Sequence, residues 1–352
     1  MLQGFDHILR VGRAVDALRR GCGVVIEREG ARQLLLPAEF VDEARQRTLP
    51  PGTELLITGA RAKSLGFDTA LPVAALAAGA LDYTQLCSLA DPTAPQAAIP
   101  SPALQPGDAL LIQLVKYASL LPAALLFTQS YEEPDWPVLA YDDLKHYATS
   151  PLPPLVETAS ARLPVTGAED ARIQSFRALH ATSTHLLLSI GDARASKAPL
   201  TRVHSSCITG DILGSLRCDC GDQLQMALSA MKAEGAGLLL YLHQEGRGIG
   251  ITNKIRAYKL QEMGVDTYVA NQLLGYDDDE RDFAIAAAML NYCGYDTVRL
   301  LTNNPSKIGL IERHGIAVKE RVPLVAASGA HNHSYIEAKS KKAGHLFKES
   351  TR

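Results

Sequence analysis

Residues 203–228 read VHSSCITGDILGSLRCDCGDQLQMAL. Three of the chain's six cysteines, Cys207, Cys218 and Cys220, fall in this one stretch with the spacing C-x(10)-C-x-C. Two cysteines separated by a single residue are too close for a comfortable mutual disulfide. Three thiolates so spaced suit a tetrahedral zinc with one position left for water, a pattern of catalytic rather than closed structural sites. His204 is a candidate fourth ligand, and so, from a polar tail, are His331 and His333. The competing reading is three small buried hydrophobes, the role expected of Cys22, Cys87 and Cys293. Three thiolates leave such a zinc with a formal charge of −1, so it acidifies water less than a three-histidine zinc and needs help from the substrate or a neighbouring base. Just beyond, Leu224, Ala227, Leu228 and Met231 follow i, i+3, i+4, i+7, which predicts a one-faced helix over Asp222–Glu234. GLLLYL (Gly237–Leu242) then reads as a buried strand.

The alternation continues outward. Helices are expected over Asn253–Met263, closed by Gly264, and over Arg281–Cys293, closed by Gly294. TVRLL is a strand, and TNNPSKIGLIERHG is a helix with Asn304 at the N-cap, Pro305 at N1 and Gly315 at the stop. Alternating strand and helix is the signature of an α/β domain. Upstream, the three prolines of SPLPPLVE (Ser150–Glu157) read as a stiff connector between two domains. Before it, VDALRRGCGVVIEREG reads as helix, turn and strand. LLIQLVKYASLLPAALLFTQ reads as helix and strand, with a loop over Pro92–Gly107.

The chain has 352 residues, 47% apolar and 21% charged, with a net charge of −3. That length is enough for two sizeable cores. The balance gives no broad basic field for nucleic acid, so an anionic substrate must be held by local cations. The N-terminus lacks a signal-peptide core and no run nears 18 uninterrupted apolar residues, which points to no membrane and to a cytoplasmic protein. In a reducing compartment clustered cysteines favour metal or catalysis over disulfides.

RVHSSCITGDILGSLRCDCG (202–221), HQEGRGIGITNKIRAYKLQE (243–262), DDDERDF (277–283) and LLTNNPSKIGLIERHGI (300–316) together resemble GTP cyclohydrolase II, from about Leu155 to the tail YIEAKSKKAGHLF ending at Phe347. The resemblance implies hydrolysis of GTP to 2,5-diamino-6-ribosylamino-4(3H)-pyrimidinone 5′-phosphate, formate and pyrophosphate, the first step of riboflavin biosynthesis. It implies one Zn²⁺ on Cys207, Cys218 and Cys220, activating the water that attacks C8 of guanine. The GTP site would be lined by Arg202, Val203, His204, Ser205, Ser206, Gln223, Glu245, Gly246, Arg247, Thr267, Thr302 and Lys307. Asp279 and Arg281 match the family's proton acceptor and proposed nucleophile at the α-phosphorus, and Tyr258 a helper in ring opening. Mg²⁺ is expected with the triphosphate, and a homodimer is expected from the family. Where the family has a glutamate before the first cysteine, this chain has Ser206. EGRGIG is not the dinucleotide fingerprint, because its glycines are spaced G-x-G-x-G.

The first half resembles 3,4-dihydroxy-2-butanone 4-phosphate synthase in ALRRGCGVVIEREGARQLLLPAEFV (17–41), LADPTA (89–94) and YASLLPAALLF (117–127). It departs where that chemistry sits. The acidic loop is missing, Ala31 stands where an aspartate is expected, and the Gly-His-Thr-Glu motif has no counterpart. The fold class is therefore α/β with two domains: a degenerate, inactive α+β synthase-like domain over 1–149 and an α/β cyclohydrolase II-like domain over 155–352. Two alternatives stand beside this function, a cyclohydrolase II paralogue with a different product and a non-catalytic nucleotide-binding regulator.

Overall fold

Runs such as ELLIT, VAALA and AALLF carry apolar side chains toward both faces, as strands covered on two sides must. In the computed structural model, which describes residues 5–99, 103–128, 136–150 and 152–325 apart from the side chains of 267 and 268, these runs lie in a seven-stranded sheet. Its strands are β1 (Val24–Arg28), β2 (Ala31–Pro37), β3 (Glu54–Thr58), β4 (Val73–Ala77), β5 (Gln105–Pro106), β6 (Ala123–Phe127) and β7 (Val138–Ala140), in the order β5-β4-β3-β6-β2-β1-β7. Every pairing is antiparallel except β1 with β7. Helices Asp6–Arg19, Ala109–Tyr117 and Tyr141–Thr149 bury Val11, Leu18, Leu111, Val115 and Leu144 against one face. Leu86 and Leu89 of the helix Tyr83–Ala90 join Leu55, Ile57 and Leu76 on the other. β1 runs unbroken to Arg28 and pairs Arg28 with Ala31, so Glu29 (φ 51°) and Gly30 (φ 80°) alone make the turn. Two successive residues at positive φ form the tight hairpin that matches strand twist.

The second sheet holds β8 (Leu155–Arg162), β9 (Arg172–Ala178), β10 (His185–Gly191), β11 (Leu200–Ser205), β12 (Ala236–Leu242), β13 (Thr297–Leu301) and β14 (Ala317–Val322), ordered β14-β13-β11-β12-β10-β9-β8. β11 runs parallel to both β12 and β13, and β13 parallel to β14, while β8, β9 and β10 are antiparallel additions. Ala227 and Met231 of the helix Cys220–Glu234 cover one face. Ala286, Leu290 and Ile311, from the helices Ala284–Tyr292 and Ser306–Glu312, cover the other. The chain leaves β11 toward β12 and leaves β13 toward β14, in opposite directions across the sheet. The crevice at the carboxyl ends of β11 and β13 is thus a topological switch point, where open α/β sheets place ligands.

By packing, the chain forms two units. One comprises Met1–Pro151 with Gly248–Glu280, and the other Leu152–Arg247 with Arg281–Arg352. A single cut near residue 150 therefore does not separate the packed units. The reason is apolar: Ile249, Ala257, Leu260, Ala270, Leu274 and Tyr276 share a buried cluster with Leu121. Local boundaries also shift. The expected helix over Arg281–Cys293 begins only at Ala284, whose N–H donates to Asp282 Oδ1 at 2.8 Å. The helix expected from Asn253 begins at Gly250. The last helix opens at Ser306 with Pro305, not Asn304, at the N-cap, although Asn304 Oδ1 still accepts from Ser306 N at 3.0 Å. Cys22, Cys87 and Cys293 are half-buried. The tail motif at 335–347, with His331 and His333, lies outside the described residues. No helix among those described is long and apolar enough to cross a membrane.

His185 of β10 is buried, and its Nδ1 accepts from His243 N at 3.3 Å. Burial, with His243 adding to it and Asp282 opposing, pushes the imidazole down to about 4. The unfolded chain titrates near ~6.5, so between those values it binds more protons than the fold. Stability present above the unfolded value is lost as pH falls toward the folded one, by ~3 kcal/mol at about 1.4 kcal/mol per unit. His185→Gln keeps an acceptor for His243 N and should flatten urea-midpoint stability between those two pH values. An unchanged acid slope would place the sensitivity elsewhere.

Candidate active site

The switch-point crevice receives its side chains from three parallel strand ends. β11 delivers Arg202, Val203, His204 and Ser205, and β12 ends just before Gln244 and Glu245. β13 ends just before Thr302 and Lys307. Ser206 N donates to Leu242 O at 2.8 Å, after which the chain turns through Cys207 into one π-helical turn, Ile208–Ile212. It returns through Cys218, and Cys220 is the first residue of the helix Cys220–Glu234, whose N-terminal end favours negative charge.

Cys207 and Cys218 are buried and Cys220 half-buried, and the three Sγ atoms lie within 4.8 Å of one another. Cys207 Sγ and Cys218 Sγ are 3.7 Å apart. Two thiolates bound at ~2.3 Å to one tetrahedral ion stand about 3.8 Å apart, so the donor set fits such an ion. Gly210 completes the cradle. A Cβ there would fall 2.6 Å from Cys218 Sγ and 3.2 Å from Cys207 Sγ. His204 is not a fourth member of this group. Its Nε2 faces both oxygens of Asp211 at 3.1 Å.

Asp211 is the hub of the turn. Beside His204, it accepts from Cys207 N at 3.0 Å and from Tyr241 OH at 2.9 Å, and the His204 and Tyr241 rings stack 5.5 Å apart. Burial lowers the His204 imidazole pKa, against the pull of Asp211, and burial together with Asp211 raises the Tyr241 phenol. Both are therefore neutral near pH 7. With Nε2–H given to the carboxylate, Nδ1 of His204 presents a lone pair. The Cys218 thiol is raised, chiefly by its hydrogen bond with Cys207.

Arg202 is fully buried, and that burial pulls its guanidinium down only to about 10, so it remains charged. Its Nη1 donates to Leu301 O at 2.9 Å and its Nη2 to Gln223 Oε1 at 2.6 Å, while Gln223 Nε2 donates to Asp219 at 2.6 Å. Glu245 Oε2 accepts from Ile208 N at 2.7 Å, tying the end of β12 to the cysteine turn. Ser206 Oγ accepts from Gln244 N at 3.2 Å. Gly246 and Arg247 both stand at φ 62°. For an arginine that backbone costs about 1–2 kcal/mol, and such strain gathers at functional sites. Lys307 is buried, with Nζ 3.4 Å from Val203 O, and it and Arg281 approach the Phe283 ring at 5.6 and 5.2 Å. Thr302 is buried and its Oγ1 accepts from Asn304 N at 3.0 Å.

Among the described residues, buried side-chain nitrogens and oxygens without a hydrogen-bond partner number four: Arg202 Nε, His204 Nδ1, Ser205 Oγ and Gln244 Oε1. All four sit at the carboxyl ends of β11 and β12. Buried polar atoms are nearly always paired, so their concentration at one crevice marks a place built for a polar ligand.

The remaining expected site residues belong to the other packed unit. Tyr258 is half-buried on the helix Gly250–Glu262, Thr267 opens the helix Thr267–Leu273 with its side chain outside the described set, and Asp279 is exposed. Asp211, Tyr241 and Phe283 were not singled out by sequence reasoning. Asp211 lies inside the cysteine motif, but nothing in its spacing distinguishes a hub from a solvated turn residue.

Fold and site together define a mixed α/β protein with a three-thiol cluster able to hold a metal ion at the switch point of its parallel strands. A model of the GTP cyclohydrolase II family matches residues 156–323. The GTP cyclohydrolase-2 of Azospirillum brasilense is 38% identical over 361 aligned positions, covering 96% of this chain and 94% of that protein. The GTP cyclohydrolase-2 of Pseudomonas syringae pv. tomato is 48% identical, covering 55% of this chain and 94% of that one. Among solved structures, RibBX, a two-domain 3,4-dihydroxy-2-butanone 4-phosphate synthase from A. baumannii, aligns with 90% of this chain and 100% of its own at 16% identity and a TM-score of 0.32, too distant to carry an argument. The chain belongs to the GTP cyclohydrolase II family and is an enzyme of riboflavin biosynthesis.

Gly210→Ala should reduce bound metal sharply without unfolding the chain, because the new methyl occupies the thiol cradle. Metal analysis after desalting checks this, and full metal content in that variant would mean the cradle lies elsewhere.

Proposed function

We propose that the metal is zinc, held by Cys207, Cys218 and Cys220, and that the reaction is hydrolysis of GTP to the 2,5-diaminopyrimidinone ribosyl phosphate, formate and pyrophosphate. The observation that carries the reading is the coincidence of the thiol cluster with the four orphaned polar atoms at one switch-point crevice. Held by these three thiolates, zinc would supply a Lewis acid and lower the pKa of water there, with help from the substrate or a neighbouring base.

The chain's own residues do the rest. Arg202, buried and charged, offers its unpaired Nε to an anionic or carbonyl oxygen of the nucleotide, and Ser205 Oγ and Gln244 Oε1 offer a hydroxyl and an acceptor. Val203, His204, Ser206, Gln223, Glu245, Gly246, Arg247, Thr267, Thr302 and Lys307 complete the GTP site by their match to the family motifs. His204 Nδ1, its tautomer fixed by Asp211, accepts a proton or hydrogen bond within the crevice. Lys307 and Arg281, gathered at Phe283, supply charge for the triphosphate, with Mg²⁺ as its counter-ion. Arg281 and Asp279 form the phosphate-cleaving pair. A guanidinium is protonated at any working pH and is a poor nucleophile, so Arg281 stabilises charge at the α-phosphorus while Asp279 takes the proton. Tyr258 assists opening of the imidazole ring. The enzyme acts as a cytoplasmic homodimer. Residues 1–149 are the degenerate synthase-like domain and 155–352 the cyclohydrolase II domain. The two-residue turn Glu29–Gly30 leaves the first no acidic loop for a metal and sugar phosphate.

Product analysis from GTP tests this at once. Formate and pyrophosphate in equal amounts are expected from the zinc-loaded enzyme, and a formylated product or unchanged GTP would overturn the assignment. Cys218→Ser should lose zinc and formate release together. Arg281→Ala and Asp279→Asn should each lower pyrophosphate release by at least ~100-fold, as loss of one transition-state donor does, with zinc retained. Near-normal rates in both would make the pair structural. Ribulose 5-phosphate with Mg²⁺ should not turn over, and turnover above a blank would restore synthase activity to the first half.

A further inference from the structure

The helix Gly250–Glu262 carries Tyr258, yet the face it buries is another one. Asn253, Arg256, Ala257 and Leu260 follow i, i+3, i+4, i+7 and form the docked stripe, with Asn253, Ala257 and Leu260 buried. Tyr258 lies two residues past Arg256, about 200° around the helix. Whatever fixes the stripe therefore fixes the direction of Tyr258.

What fixes it comes from the first 151 residues. Arg256 Nη2 donates to Glu39 Oε1 at 3.0 Å and its Nε to Asp91 Oδ2 at 3.1 Å, with only 18% of the guanidinium side chain exposed. Nη1 donates to Asn253 Oδ1 at 2.9 Å, and Glu39 Oε2 accepts from Leu121 N at 3.0 Å. Asn253, wholly buried, donates through Nδ2 to Ser119 O at 2.9 Å and to Tyr276 OH at 3.1 Å, and Tyr276 OH donates to Leu120 O. Ser119 stands at φ 59°, a strained backbone that presents this carbonyl. Gly250 admits the close approach, since a Cβ there would lie 2.9 Å from Ser119 Cβ. At the far end of the segment Lys116 Nζ meets Glu280 Oε1 at 2.6 Å, beside Asp279.

The partners are not scattered. Glu39 lies in the first synthase-like piece, Asp91 in the second, and Ser119, Leu120 and Leu121 in the third. The parts of the first half that match the synthase pattern supply the contacts to 248–280. A paired, partly buried guanidinium adds little net stability but selects one arrangement, because any other leaves charges unpaired.

We propose that residues 1–151 serve the cyclohydrolase reaction as a positioning scaffold, with Glu39 and Asp91, acting through Arg256, as positioning residues for the segment that bears Tyr258, Thr267 and Asp279. The proposal rests on the family-based assignment of those three to the GTP site.

The test uses full-length, zinc-loaded protein with Glu39→Gln, Asp91→Asn and the double change. Hydrogen exchange is followed in peptides from 250–262 and, as a control, from 220–234. The kcat and KM of GTP turnover are read from formate. The double variant should lose protection in 250–262 but not in 220–234, keep its zinc, and lose kcat by roughly 10- to 100-fold, since misplacement of about 1 Å costs up to that much. KM should move less, and each single variant, which leaves Arg256 one carboxylate, should fall between. Unchanged kcat despite lost protection would reduce the contact to mere packing and overturn the proposal. Unchanged protection, or equal loss in both helices in all three variants, would overturn it as well. A wild type that releases no formate would instead defeat the functional reading, while the exchange contrast would still report on the packing.

Discussion

Three thiols held within 4.8 Å of one another cannot all ionise side by side unless a cation lies among them. Two thiolates at 3.7 Å repel by about 4 kcal/mol at an effective dielectric near ~20. The Cys218 thiol is raised chiefly by its hydrogen bond with Cys207, with burial adding to it. A divalent ion reverses the sign of every one of these interactions. The surrounding structure orients the thiols: Asp211 accepts from the backbone of Cys207, Glu245 from that of Ile208, and Gly210 leaves the space a side chain would fill.

The position of that pocket follows from the sheet. β11 is parallel to both its neighbours, and the chain departs from β11 and β13 in opposite directions, so their carboxyl ends form the switch-point crevice where open α/β sheets place ligands. The cysteine turn is simply the first segment to leave that crevice. The buried guanidinium of Arg202 and the ammonium of Lys307 come from either side of it, one reaching Leu301 O and the other Val203 O across the two strands. Local positive charge is thus concentrated where the chain as a whole, at net −3, has none to spare.

Much of this was legible in the sequence because it is periodic or tightly spaced. The C-x(10)-C-x-C spacing found the thiol cluster, the i, i+3, i+4, i+7 stripe from Leu224 found the helix that follows it, and apolar runs found the buried strands. What was not legible is long-range. Nothing in the spacing of Asp211 and Tyr241, thirty positions apart, tells that one phenol will meet one carboxylate. His204 looked like a ligand because it precedes a cysteine, but its strand places Nε2 on Asp211 instead. One division between packed units falls within SPLPPLVE, but 248–280 packs with the first unit all the same. The apolar cluster around Leu121 and Tyr276, and the ion pairs of Arg256 with Glu39 and Asp91 beside it, join positions more than 150 residues apart in sequence and have no local signature.

The claim on which the account turns is that Cys207, Cys218 and Cys220 are the only protein ligands of one zinc. X-ray absorption at the zinc edge of the purified full-length enzyme reads this directly. The account predicts three sulfur neighbours at about 2.3 Å and one lighter oxygen or nitrogen atom at about 2.0–2.2 Å. A shell of four sulfurs, or one of nitrogen and oxygen alone, would contradict it.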